Sequence, residues 1–80
     1  MLNAAFPTLD LHEKNTYQAK IAIDAALKRA GSAYRIRVVH GYNRGTALRD
    51  MIEETYASHE KVLRLLRINA GTTDLILREI

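Results

Sequence analysis

Residues 34–50 read Y-R-I-R-V-V-H-G-Y-N-R-G-T-A-L-R-D, and the change of rhythm inside this stretch decides the fold. In its first half Tyr34, Ile36 and Val38 alternate with Arg35 and Arg37, and the β-branched and aromatic residues at period two predict a strand over 34–40. A loop at 41–45 carries Gly41 and Gly45. Beyond it Leu48, Met51, Ile52, Thr55 and Tyr56 fall on one stripe of a helix that ends near Ala57. A strand that feeds a helix through a short glycine-bearing loop is part of a β-α-β unit, so its neighbours are expected to complete one.

They do so on both sides. Residues 8–12, T-L-D-L-H, alternate Leu9 and Leu11 with Asp10 and His12, which predicts a half-buried strand carrying two polar groups on one face. Over residues 16–30, Ala19, Ile23, Ala26, Leu27 and Ala30 recur at helical spacing. Asn15 with Gln18 three residues on has the form of a capping box, and Gly31 supplies a stop. Downstream, residues 62–68 predict a third strand, in which the adjacent Leu65 and Leu66 blur the buried face. The turn Asn69-Ala70-Gly71 leads to a fourth strand over 73–80, centred on Leu75, Ile76 and Leu77.

The order β-α-β-α-β-β predicts an α/β fold in two layers. Strands joined through helices run parallel with both helices on one face, and the short last connection makes an antiparallel pair. The result is a four-stranded mixed sheet whose second face has no helix to cover it. Eighty residues suffice for one core and not for two, so residues 1–80 are expected to form a single domain.

Composition narrows the function. There is no cysteine, which excludes a thiolate metal site or a thiol nucleophile and leaves oxygen and nitrogen groups to do any chemistry. No run of 18 apolar residues and no leader-like amino terminus occur, so a cytoplasmic location without membrane contact is expected. A net charge of +3 mildly favours anionic partners, nucleic acid among them.

Asp10 and His12, two apart on a strand, are expected to share a face. A carboxylate there can orient the imidazole for proton transfer, or the pair can offer an oxygen and a nitrogen to a cation; the plain alternative is a hydrogen bond closing the turn before the first helix. If the first two strands are parallel neighbours, His12 and His40-Gly41 meet at the carboxyl edge of the sheet, where open α/β sheets bind ligands. The following loop, with Gly41, Tyr42, Asn43, Arg44, Gly45 and Thr46, opens a helix whose free amides suit a phosphate, and Arg44 and Arg49 flank that start. The competing reading makes the glycines strain relief, Asn43 or Thr46 a cap, and the arginines solvated. Tyr42 can stack on a base or pack on the sheet edge. His59 reads as a turn residue, and Arg35, Arg37, Arg64 and Arg67 as either a basic stripe or ordinary exposed strand positions.

Taken together, L-D-L-H at 9–12, H-G-Y-N-R-G-T-A-L-R-D at 40–50 and G-T-T-D-L-I-L at 71–77 resemble the Smr (small MutS-related) domain over almost the whole chain. The resemblance implies a two-layer fold like the carboxyl-terminal domain of a bacterial translation initiation factor, and work on nucleic acid. The family includes DNA-nicking modules attached to mismatch-repair-like ATPases and ribonucleases that cut messenger RNA at stalled ribosomes. It implies cleavage roles for Asp10 and His12, and matches His40, Gly41 and Gly45 to the family's glycine-rich loop and Arg49 to the basic residue of the following helix; His40 joins the catalytic candidates, and Tyr42, Asn43, Arg44 and Thr46, read from the loop itself, join Gly41, Gly45 and Arg49 as candidates for binding phosphate or nucleic acid. Glu13 and Asn43 depart from it, since many members carry glycine at both places, and a carboxylate at Glu13 repels phosphate unless it binds a metal or turns away. The expectation is an endonuclease acting on RNA or DNA. Its alternatives are a non-catalytic module docked on nucleic acid or a ribosome, or a protein-interaction domain using the uncovered sheet face. The cofactor stays open, with Mg2+ or Mn2+ on Asp10 and His12 as the candidate, and a monomer is expected.

Overall fold

A computed structural model of the chain describes residues 6–42 and 45–79. The elements run β1 (Thr8–Asp10), α1 (Thr16–Arg29), β2 (Arg35–Val39), α2 (Ala47–Tyr56), β3 (Arg64–Asn69) and β4 (Thr72–Ile76). They form one sheet in the order β1-β2-β4-β3, with β1 parallel to β2 and the other pairs antiparallel. The architecture is the expected α/β fold with a four-stranded mixed sheet and two helices.

The core follows from the two periodicities. Ile36, Val38 and Leu75, at alternate positions of the two central strands, meet Ala19, Ile23, Ala26 and Leu27 of α1 and Ile52 and Tyr56 of α2 in a single buried cluster. α1 begins as the sequence indicates: the Asn15 side chain accepts from the Gln18 amide at 2.8 Å while the Gln18 side chain accepts from the Asn15 amide at 3.0 Å. It stops where Gly31 takes a left-handed φ of +57°. The helices are tied to each other by the Tyr56 hydroxyl, which donates to Asp24 at 2.6 Å. That bond, together with burial, raises the phenol pKa and leaves Tyr56 a neutral donor.

Three strand boundaries differ from expectation by two residues or more, through local turns or pairing. β1 ends at Asp10, not His12. The Leu11 amide still donates to Val39 at 2.8 Å, but the Lys14 amide bonds back to Leu11, and this turn drops Leu11 into the core ahead of α1. β3 starts two residues late because Val62, although buried, belongs to the turn in which its amide donates to His59. β4 stops at Ile76, opposite Arg35; past it the Leu77 and Arg78 amides both donate to the one carbonyl of Tyr34, at 2.7 and 3.3 Å, which ends the alternating ladder, and Ile80 lies outside the described residues.

The sheet face turned from the helices has its own organisation. Asp74, fully buried, accepts from Arg35 Nη1 at 2.8 Å and from Arg37 Nε and Nη2 at 2.9 and 3.0 Å. The Phe6 ring lies over both guanidinium groups, 5.6 and 5.1 Å from their central carbons. The four arginines do not form one stripe. Arg64 shares this face with Arg35 and Arg37, whereas Arg67 lies opposite Thr73 on the helix side and pairs with Glu53 of α2. Replacing Asp74 with Ala leaves two partly buried guanidinium groups without their acceptor. Unfolding in urea is expected to show a loss of about 3 kcal/mol, the lower end of what breaking a buried ion pair costs, because both arginines keep partial contact with water. A loss below ~1 kcal/mol, the usual worth of a surface pair, would mean that the clasp is only a surface feature.

Candidate functional site

Parallel pairing of β1 with β2 sets Asp10 beside Val39, so the chain leaving β1 and the chain leaving β2 emerge at the same edge of the sheet. There His12 and Gly41 touch. Gly41 has φ +75°, and a Cβ built on it would stand 3.0 Å from the Cβ of His12. Only glycine satisfies both the left-handed backbone and the close approach.

Asp10 and His12 come together through the turn and not through pleat alternation. Nδ1 of His12 donates to the Asp10 carboxylate in a short hydrogen bond, and the His12 amide donates to the same oxygen at 3.4 Å. A carboxylate only accepts, which places the proton on Nδ1 and points Nε2 away from Asp10. The imidazole bond above all, then the amide, holds the Asp10 carboxyl below its usual range. Both side chains remain more than half in contact with water or close to it, and His12 lines a cleft.

That cleft, about 370 Å³, is bounded by His12, Glu13, Lys14, Asn15 and Thr16 on one side and by His40, Gly41, Tyr42, Gly45, Ala47 and Leu48 on the other. Its second wall is held by a clasp the sequence reading missed. The Gly71 carbonyl accepts from the amides of both His40 and Gly41, at 2.9 and 3.0 Å. A Cβ on Gly71 would come within 3.2 Å of the Tyr42 ring. The 71–77 motif was the available signal, since it pairs with β2 and its glycine sits where the two chains cross. Of the two expectations for Tyr42 the packing one is seen: a ring edge lies against Gly71, while the residue stays 65% exposed.

His40 differs from His12. It is 4% exposed, Nδ1 donates to the Gly41 carbonyl at 2.9 Å, and Nε2 meets the Thr73 hydroxyl at 3.0 Å. With both ring nitrogens engaged, it braces the glycine loop, although the sequence groups it with the proton-handling residues. Thr46 starts α2 without capping it: its hydroxyl donates to Asp50 at 2.9 Å, so the first-turn amides have no side-chain cap. Arg49 is not part of the cleft wall, and its buried Nε makes no hydrogen bond, with Asp50 Oδ1 3.6 Å away. Asn43 and Arg44 lie outside the described residues. Lys14, not singled out from sequence, adds a cation beside the cleft, while Glu13 places a carboxylate oxygen 3.6 Å from His12 Nε2.

The donor set does not fit a resident divalent cation. Asp10 is committed to His12 Nδ1, and among the described residues no group of three or more His, Asp or Glu side chains is arranged to hold a metal ion. Nor is any described helix long and apolar enough to cross a membrane.

A mixed four-stranded sheet under two helices, with Gly41 at the joint carboxyl edge of its parallel strands, defines a small two-layer α/β domain. The Smr domain model matches residues 9–73, and the chain belongs to that family. Domains of this family in general bind nucleic acid, and some of its members cut it. The chain is similar in structure to the Smr domain of Thermus thermophilus MutS2, with a TM-score of 0.81 and 26% identity over 91% of this chain and 99% of that one. A comparison with curated proteins found no match.

The Asp10–His12 bond has a direct readout. Because the folded-state pKa of Asp10 is lowered, the stabilisation it brings is complete above the unfolded aspartate pKa and is lost as pH falls through the folded one. Carboxyl-carbon NMR is expected to show Asp10 titrating below the ordinary aspartate range, and His12→Ala to return it there. An unchanged midpoint in that variant would remove the bond.

Proposed function

We propose that this Smr domain binds nucleic acid at the His12–Gly41 cleft and cuts its phosphodiester backbone by proton transfer at His12. The observation carrying this reading is the imidazole fixed through Nδ1 by Asp10 on the wall that faces the glycine loop. Asp10 sets the tautomer and favours the imidazolium that forms in the reaction. The first-turn amides of α2 and Lys14 supply the positive surroundings for a phosphate. His40 acts as a positioning residue through its bonds to Gly41 and Thr73.

In the hydrolysis a water oxygen adds to phosphorus and gives a proton to His12, while the bond from phosphorus to the departing sugar oxygen breaks. That oxygen takes a proton, from the imidazolium or from solvent, and the charge building on phosphate is met by the first-turn amides of α2 and by Lys14.

A second reading, a domain that binds RNA, DNA or a ribosomal surface without cutting, is favoured by Glu13 and Asp50. Both place carboxylates near the phosphate path. End-labelled RNA and DNA incubated with the pure protein separate the two. The nuclease reading expects cleavage that persists in chelator and falls about a hundredfold or more in Asp10→Ala and His12→Ala, the usual worth of general acid–base catalysis. Equal cleavage by all three proteins contradicts it, and salt-sensitive binding without any cleavage supports the second reading.

A further inference from the structure

Strand register arranges the helix-free face in rows. Arg35, Ile76 and Arg64 form one row across β2, β4 and β3; Thr8, Arg37, Asp74 and Leu66 form the next; Asp10, Val39 and Thr72 form the third. The third row ends at the candidate site. The first lies four residues back along β2, about 13 Å away at the usual rise of a strand, at the opposite end of the sheet.

Beside that first row is a second and larger cleft, about 830 Å³, lined among others by Phe6, Tyr34, Arg35, Arg64, Ile76 and Arg78. Its chemistry is aromatic and cationic together. Tyr34 is 49% exposed, and Phe6 lies over Arg35 and Arg37. Arg64 is held by Glu79 at 2.7 Å and Arg78 by the Gly31 carbonyl at 2.9 Å. Among the described residues Arg35 and Arg37 share the carboxylate of Asp74, Arg64 pairs with Glu79, and Arg78 adds a further guanidinium at the cleft, so this surface carries more cations than carboxylates.

Exposed rings among guanidinium groups suit a ligand that offers flat π faces and phosphates alternately. A duplex hides its base faces in the stack, and a second copy of this chain would bring the same positive excess to the contact. We infer that this distal cleft is a single-strand subsite: it stacks an unpaired base between aromatic side chains and holds the adjoining phosphates on Arg64 and Arg78. The strand then passes over the Arg37 row to the His12–Gly41 cleft, and the face takes single-stranded RNA or DNA in preference to duplex. This rests on the reading of the His12–Gly41 cleft as a nucleic-acid site.

The test is fluorescence anisotropy with a labelled oligouridine, the matching DNA strand and the duplex, using the parent chain, Tyr34→Ala, Tyr34→Phe and Arg64→Ala. Tyr34 and Arg64 are exposed, and unchanged urea midpoints in their variants confirm that folding is intact. Tyr34→Ala is expected to weaken strand binding about tenfold, the usual loss for one stacked base, and Arg64→Ala to weaken it and lower its salt dependence, whereas Tyr34→Phe, which keeps the ring, binds as the parent does. Parent-like strand binding by both alanine variants overturns the subsite while leaving the His12 site standing. Duplex bound as tightly as single strand, with the same variants silent, overturns it as well. So does a parent dimer in sedimentation that Tyr34→Ala dissociates, which assigns the face to a second copy. A parent chain that binds no nucleic acid overturns both readings together.

Discussion

The contact of His12 with Gly41 governs the rest of this molecule. A single added methyl group at Gly41 would enter the space of the His12 Cβ, on a backbone already in the left-handed region. Everything that makes a cleft there depends on the two chain segments lying this close. The parallel pairing of β1 on β2 brings them to one edge, the Gly71 carbonyl fixes the second segment by two amides, and His40 ties it to Thr73 of the neighbouring strand. The cleft is therefore assembled by the sheet.

Electrostatics divide the two faces of this design. At the cleft, positive character comes from uncapped amides and Lys14 and is opposed by Glu13. On the helix-free face the balance is reversed: one buried carboxylate, Asp74, organises two arginines and is outnumbered by the guanidinium groups around it. Burying that carboxylate without its partners would be costly, so the same bonds that stabilise β2 against β4 also hold two cations flat on the surface. Stability and a basic face share one interaction.

Much of this was legible in the sequence, for identifiable reasons. Alternation in 34–40 and helical spacing in 16–30 report burial directly, and the Asn15–Gln18 box marks a helix start through a local pair of hydrogen bonds. The meeting of His12 with Gly41 followed from one topological condition, that β1 and β2 be parallel neighbours. What the pattern did not carry is long-range pairing. Nothing local says that β4 inserts between β2 and β3, and so the burial of Asp74 and the clasp of Gly71 were invisible, whereas the division of Arg64 from Arg67, three apart on one strand, follows from alternation alone. His40 shows the same limit: its residue type suggests proton transfer, but its burial against Thr73 is decided by a strand more than thirty residues away.

The central claim, one phosphate-receiving cleft built from two chain segments, is tested most directly by amide NMR while a phosphorylated dinucleotide is titrated into the protein. The account predicts that the amides of His12, Lys14, Gly41, Tyr42, Gly45 and Leu48 shift together with a single dissociation constant. Movement of only one of the two segments, or shifts that fit two unrelated constants, would contradict it.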